Sequence, residues 1–330
     1  MNKVLCFGEI LLRLQSASGG QLLGKGHNQL KVYPGGSEAN VAAGLAQMGT
    51  PVAYCSAFPD NALSSEIKNE MALLGVDTEK SMTFGDRIGS YLLLSANGLS
   101  QGEVIYDRKY SSFSQFAIED IDFDELFADI DWFHWTALSP ALNEHIAELI
   151  EPILAEAKKR NITISVDLNY RSKLWQYGQE PIDVMPKLVA YCDVLMGNIW
   201  AANKMLGTPV SNDLDRQTSS ERYYSEAKES AKAVFASFPN VQHVAYTFRF
   251  MDNPKHNLFY GTYHRRDIDT LSAIYETEDV VDRIGSGDAF MAGYIHALKQ
   301  HMDAQLIINI ATGAGFQKLF VEGDFGNGKF

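Results

Sequence analysis

At 330 residues the chain exceeds an average domain but fits one large α/β unit, and 46% hydrophobic with 21% charged residues is the composition of a globular protein. A net charge of −13 argues against nucleic acid or an anionic membrane as partner, and no apolar run is long enough to cross a bilayer. Any anionic ligand must therefore be held by local arginine, lysine or helix termini against the overall field.

The first strand is expected at Lys3–Phe7, a short apolar run too brief for a signal peptide. No G-x-G-x-x-G turn follows it, so a nicotinamide dehydrogenase loses its main support. The stretch from Leu11 to Tyr33 carries Gly19-Gly20, Gly24 and Gly26 without helical periodicity, and reads as short strands standing outside a main sheet. Next comes Gly35-Gly36-Ser37-Glu38-Ala39-Asn40, with Ser37 as expected N-cap and Asn40 in the first turn of an Ala/Gly/Leu helix. Two glycines at a helix start can cradle a small polar ligand, and Asn40 offers both a donor and an acceptor to hydroxyls. The bland alternative is a helix cap with a packed Asn. Val52–Phe58 reads as a strand and Leu63–Leu74 as a helix closed by Gly75. From Arg87 to Ile105 two strand-like runs flank Asn97-Gly98, a hairpin signal. With the Leu11–Tyr33 region this makes a small sheet, a lid or dimer contact.

From Trp132 the rhythm is strand, helix, strand, with expected strands at Trp132–Trp135, Thr163–Val166, Val194–Met196 and His243–Phe248. Helices are expected at Asn143–Arg160, Ile182–Ala190 and Ser220–Ser237, with a short one ending at Leu206. Such alternation means a parallel sheet covered on both faces, whose ligands gather at strand C-terminal ends. That rule selects Asn169, Arg171, Asn198, Thr247 and Arg249. Asn257–Thr270 reads as an edge hairpin and Asp303–Lys318 as a closing helix. Cys6, Cys55 and Cys192 are too widely spaced for a metal site and suit a reducing cytoplasm.

The second glycine motif is Gly285-Ser286-Gly287-Asp288, ahead of a helix whose apolar residues nearly encircle its axis. A buried helix of this kind turns its unpaired N–H groups and positive dipole end inward, which forms an anion hole. A carboxylate repels phosphate, so Asp288 is better suited to take a proton from an attacking hydroxyl. The bland alternative is a glycine turn with Asp288 as an ordinary first-turn residue.

Together the two glycine motifs, at opposite ends of one α/β chain, resemble the signatures of the ribokinase-like (phosphofructokinase B) sugar kinases. The resemblance covers essentially the whole chain. It implies a three-layer fold, a mostly parallel central sheet flanked by helices, forming one domain over residues 1–330. It also implies a β-strand lid drawn from about residues 11–34 and 87–112. By that match Gly36 and Asn40 contact the sugar, Gly285, Ser286 and Gly287 hold the transferring phosphate, and Asp288 activates the hydroxyl. Asn198, Thr247 and Arg249, with Gly285 and Gly287, face the nucleotide. The implied cofactors are ATP and Mg²⁺, with room for a monovalent cation, and the lid implies a homo-oligomer.

Gly8–Leu14, Val104–Arg108, Asp167–Arg171 and Asp282–Ile284 look like 2-keto-3-deoxygluconate kinases in particular. There the positions of Tyr91, Tyr106, Arg108 and Arg171 contact the sugar acid. A sugar carboxylate wants arginine, which an acidic protein must supply locally; the bland alternative pairs Arg108 and Arg171 with structural Asp or Glu. Two departures stand out. Ser286 replaces the usual Ala. Ala201 replaces the Glu of an N-x-x-E stretch that helps organise magnesium, so no protein metal ligand is assigned. The rivals are a fructose or ribose kinase and a sugar-acid binder without turnover.

Overall fold

The computed structural model describes residues 2–16, 29–94 and 103–330. In chain order the strands are β1 (Lys3–Phe7), β2 (Leu11–Ser16), β3 (Leu30–Gly35), β4 (Val52–Cys55), β5 (Ala57–Phe58), β6 (Met82–Thr83), β7 (Gly89–Leu94), β8 (Glu103–Asp107), β9 (Ile130–Thr136), β10 (Thr163–Asp167), β11 (Val194–Gly197), β12 (His243–Phe250), β13 (Asn257–His264), β14 (Asp269–Leu271) and β15 (Tyr275–Thr277). The α-helices are α1 (Ser37–Gln47), α2 (Ala62–Leu73), α3 (Phe123–Leu126), α4 (Glu144–Lys159), α5 (Pro181–Val189), α6 (Ile199–Leu206), α7 (Ser220–Ser237), α8 (Ser286–Lys299) and α9 (Ala304–Gln317).

The large sheet runs β14-β13-β12-β11-β10-β9-β1-β4, parallel from β12 to β4, with β13 antiparallel to its neighbours and β15 paired to β13. Alternation along β1 explains the layering. Leu5 and Phe7 join the core on one face with Leu149, Ile153 and Met205, while Val4 and Cys6 join Val41, Ile67, Phe290 and Ile308 on the other. This is the α/β ribokinase-like architecture expected from the sequence. The expected strand over Val52–Phe58 is two strands instead. Ser56 leaves the ladder, and its hydroxyl accepts from the Ile10 N–H at 3.2 Å.

Small residues fix where the site sits. A Cβ on Gly44 of α1 would lie 2.7 Å from the Ala292 Cβ of α8, and one on Gly293 would lie 3.1 Å from the Ala311 Cα of α9. These helices therefore pack at near-backbone contact, and α1 and α8 start side by side at the C-terminal ends of the parallel strands.

A second sheet, β3-β2-β7-β8, stands over that end. The register places Arg13 opposite both Tyr33 and Tyr91, and Tyr91 opposite Tyr106, so these share the inner face. Leu14 stands opposite Val32 and Leu92, and Leu92 opposite Ile105, on the outer face. Gly19-Gly20, Gly24, Gly26 and the Asn97-Gly98 turn lie outside the described residues. No helix of the described residues is long and apolar enough to cross a membrane.

Candidate active site

A cleft of about 530 Å³ lies between the second sheet and the strand C-terminal ends. Gly36, Asn40, Tyr91, Tyr106, Arg108 and Arg171 line it, together with Asn198, Thr247, Arg249, Gly285, Ser286, Gly287 and Asp288. All the residues singled out from the sequence thus meet in one cavity.

Asp288 is the buried centre. It lies in the first turn of α8, whose N-cap is Gly285 at φ 80°. A Cβ on Gly285 would stand 2.3 Å from the Asp324 carbonyl oxygen, so glycine is required by both conformation and space. Ser37 Oγ donates to Asp288 Oδ1 at 2.6 Å, and Asn40 Nδ2 donates to Oδ2 at 2.6 Å. The first turn of α1 therefore holds the carboxylate of α8. Burial pushes the Asp288 carboxyl up, against the pull of Ser37, Asn40 and the Arg171 charge. The Asn40 Oδ1 remains buried and unpartnered, an acceptor aimed at no protein donor.

Ser37 is not the N-cap expected. Gly36 caps α1 at φ 123°, where a Cβ would meet the Glu9 carbonyl oxygen at 2.3 Å. Ser37 is thereby moved into the helix and freed to bind Asp288. Asn169 Nδ2 donates to Ser37 Oγ at 3.1 Å and completes the chain.

Opposed charges lie in and behind the walls. Behind the cleft, burial pushes Glu38 up to about 7, even though its Oε1 accepts from the Thr136 N–H and hydroxyl. Burial, with the Asp288 charge adding to it, lifts Asp167 to about 7. Against these stand Arg171, Arg249 and Arg283. Desolvation and the like charges of Arg171 and Arg283 hold the Arg249 guanidinium down, to about 10. It stays charged at neutral pH, since Asp288 favours the charged form and the Arg249 side chain is open to solvent. Arg249 Nη1 donates to Ser286 Oγ at 2.7 Å, which ties it to the glycine turn before α8.

The other expected residues divide. Arg171 is exposed to the cleft and forms no ion pair among the described residues. Arg108 is buried and its Nε donates to Glu9 Oε2 at 2.5 Å, so part of its charge is taken by a structural acid. The Tyr91 hydroxyl donates to Asp324 Oδ2 at 3.0 Å, and its ring lies 6.2 Å from that of half-buried Tyr106. Asn198 caps α6, its Oδ1 accepting from the Ala201 N–H at 2.8 Å, and Thr247 Oγ1 donates to the Gly197 carbonyl at 3.3 Å. Ala201 is buried and brings no oxygen ligand. Among the described residues no cluster of three His, Cys, Asp or Glu side chains could hold a metal ion.

Sequence reasoning missed Ser37 as a partner of Asp288, and missed Asp324, Arg283 and Trp200 in the lining. The Ser37 signal was present, since residues three apart on a helix share a face and Asn40 had been selected. Trp200 had no comparable signal. Its ring packs against Tyr223 and Phe248 while the residue lines the cleft, which only the tertiary structure reveals.

The sequence pattern of the pfkB family carbohydrate kinase matches residues 1–246. The chain is 26% identical over 324 residues, 98% of its length and 92% of the relative's, to a 2-dehydro-3-deoxygalactonokinase of Haloferax volcanii. It is 23% identical over 291 residues, 88% of its length and 81% of the relative's, to a 2-dehydro-3-deoxygluconokinase of Bacillus subtilis. The crystal structure of a 2-dehydro-3-deoxygluconokinase of Thermotoga maritima superposes with a TM-score of 0.88 at 31% identity, covering 98% of this chain and 96% of that one.

Proposed function

The chain belongs to the pfkB family of carbohydrate kinases, and from that premise we propose that it transfers the γ-phosphoryl group of ATP to the terminal hydroxyl of a 2-keto-3-deoxy sugar acid, 2-keto-3-deoxygluconate first. The observation that carries the reading is the pairing of Asp288 with an open glycine turn. A Cβ on Gly287 would meet nothing within 4 Å, so the protein itself does not require glycine there. A ligand approaching the backbone does.

In this reading Asp288 takes the proton of the sugar hydroxyl as that oxygen attacks phosphorus. The first-turn N–H groups of α8 receive the charge on the transferring phosphoryl, and Arg249, held by Ser286, adds a cation beside it. Arg171, with the part of Arg108 that Glu9 leaves free, receives the sugar carboxylate. Tyr106 and Asn40 orient the hydroxyls. Mg²⁺ would neutralise part of the charge on the ATP phosphates when bound with the nucleotide; Ala201 supplies no carboxylate to organise it, and no protein ligand is assigned.

A coupled ADP-release assay over sugar acids and neutral sugars tests the proposal. Release with 2-keto-3-deoxygluconate, or with its galactonate epimer, supports it. A preference for fructose or ribose overturns the substrate and keeps the kinase. Ala201 favours a second reading, binding without turnover, which requires sugar-acid affinity with no ADP released. Gly287→Ala is expected to leave the melting temperature unchanged or slightly raised, because Ala suits a helix better than Gly. It should lower kcat/KM for ATP on the order of tenfold or more, by filling the cradle. Wild-type ATP kinetics in that variant would remove the anion-hole role.

The lid adds a partner. Val32 and Ile105 are 51% and 45% exposed on its outer face, beside half-buried Leu14 and Leu92. A contiguous apolar sheet face of this kind suits a second copy of the same chain. Sedimentation should show a dimer that Val32→Glu with Leu92→Glu converts to monomer. A monomeric wild type would refute it.

A further inference from the structure

The lid meets the anion loop through one buried cation. Arg13 lies on lid strand β2 and is fully buried. Its Nη1 and Nη2 donate to Asp282 Oδ1 and Oδ2 at 3.1 and 2.6 Å, and its Nε lies 2.9 Å from Asp324 Oδ1. Its guanidinium stands 4.3 Å over the Tyr33 ring. A charge buried this deeply is stable only while those partners stay in place.

Those partners belong to three different segments. Asp282 Oδ1 accepts from the Ile284 N–H at 3.0 Å, the residue before the anion loop, and its Oδ2 accepts from the Gly323 N–H at 3.1 Å. Asp324 accepts from the lid through Tyr91, and its carboxylate is wedged against Gly35, where a Cβ would lie 2.3 Å from Oδ2. Its own carbonyl presses on Gly285. Lid, anion loop and C-terminal loop therefore share one guanidinium. Burial raises Asp324 to about 7, with Arg13 the chief opposing influence and Asp282 and Asp288 adding to the rise. Buried Lys318 also attracts Asp282, Asp324 and Asp288, but it stands at the end of α9 and not on the second sheet, so Arg13 is the cation that ties Asp282 and Asp324 to β2.

We propose that Arg13 is a positioning residue that couples the second sheet to the turn that forms the anion hole. It stands outside the lining of the cleft. From β2 the Arg13 fork holds Asp282, which accepts from the Ile284 N–H, and so fixes the turn from Ile284 to Gly287. This rests on the kinase reading above, and the test separates the two.

The experiment compares wild type with Arg13→Lys, which keeps the charge and loses the fork, and Arg13→Met, which loses both. Amide hydrogen exchange over residues 282–288 is measured first, without ligand and without reference to activity. It is expected to quicken about tenfold in either variant. Steady-state kinetics with the sugar that wild type turns over should show kcat reduced about tenfold, with a smaller change in sugar KM. If Arg13→Met fails to fold, Arg13→Lys carries the comparison. Wild-type exchange in 282–288, or unchanged kcat alongside a lowered melting temperature, makes Arg13 a structural brace and overturns the proposal. A wild type that turns over no sugar defeats the kinase reading alone, because the exchange measurement still reports on the coupling.

Discussion

Asp288→Asn is expected to slow turnover by about 10²- to 10⁴-fold while leaving sugar affinity near its wild-type value. The substitution keeps the side-chain shape between Ser37 and Asn40, and the amide oxygen can still accept one of their two hydrogen bonds. What is lost is the basic oxygen. The pH dependence gives a second readout. The base acts when ionised, and burial raises its pKa, so wild-type kcat/KM should fall as pH is lowered through a value above the ordinary aspartate range. Below that value the loss should approach tenfold for each pH unit. The residual activity of Asp288→Asn should lack this acid limb. Turnover near wild type, or an unchanged acid limb in the variant, would take Asp288 out of the proton transfer.

Much of the fold was legible because burial patterns are local. The apolar run of β1, the amphipathic α4 and the strand-helix alternation after Trp132 each announce themselves within a few residues. Asn143, Ser219 and Asp303 cap their helices as their residue types suggest. The break at Ser56 was not legible, since an apolar run hides a strand that leaves its ladder. The site followed the same division. Glycine turns and strand-end polar residues mark themselves, and they converge on one cleft. Partnerships between side chains do not. Arg13 and Asp282 are 269 positions apart, and nothing near either residue announces the other. For Arg108 the sequence leaves a structural acid open as its partner, but nothing local singles out Glu9, 99 positions away. Ser37 was assigned to a backbone cap because that is the local use of serine, whereas Gly36 took the cap and α8 took the serine.

Arg171→Met is expected to cost about ten- to a hundredfold in kcat/KM for a sugar acid and much less for a neutral ketose. Arg171 sits just beyond the C-terminal end of β10, in the region where parallel sheets bind their ligands, and is exposed to the cleft without an ion-pair partner among the described residues. Arg108 is a weaker candidate than its motif suggests, because its Nε is already committed to Glu9 at 2.5 Å. A charge-assisted hydrogen bond contributes roughly 1.5–3 kcal/mol, and about 1.4 kcal/mol is tenfold, which sets the expected range. The neutral sugar never makes that contact, so the ratio of the two losses isolates the carboxylate. Arg171 has a second influence that the ratio removes. Its charge opposes the upward pull on Asp288 and Asp167, so losing it shifts the base for every substrate alike. A common loss on both sugars therefore reports the effect on Asp288, and a differential loss reports recognition. Equal losses would assign Arg171 to the base or the nucleotide and leave the sugar carboxylate to Arg108, where Arg108→Met should then show the differential instead.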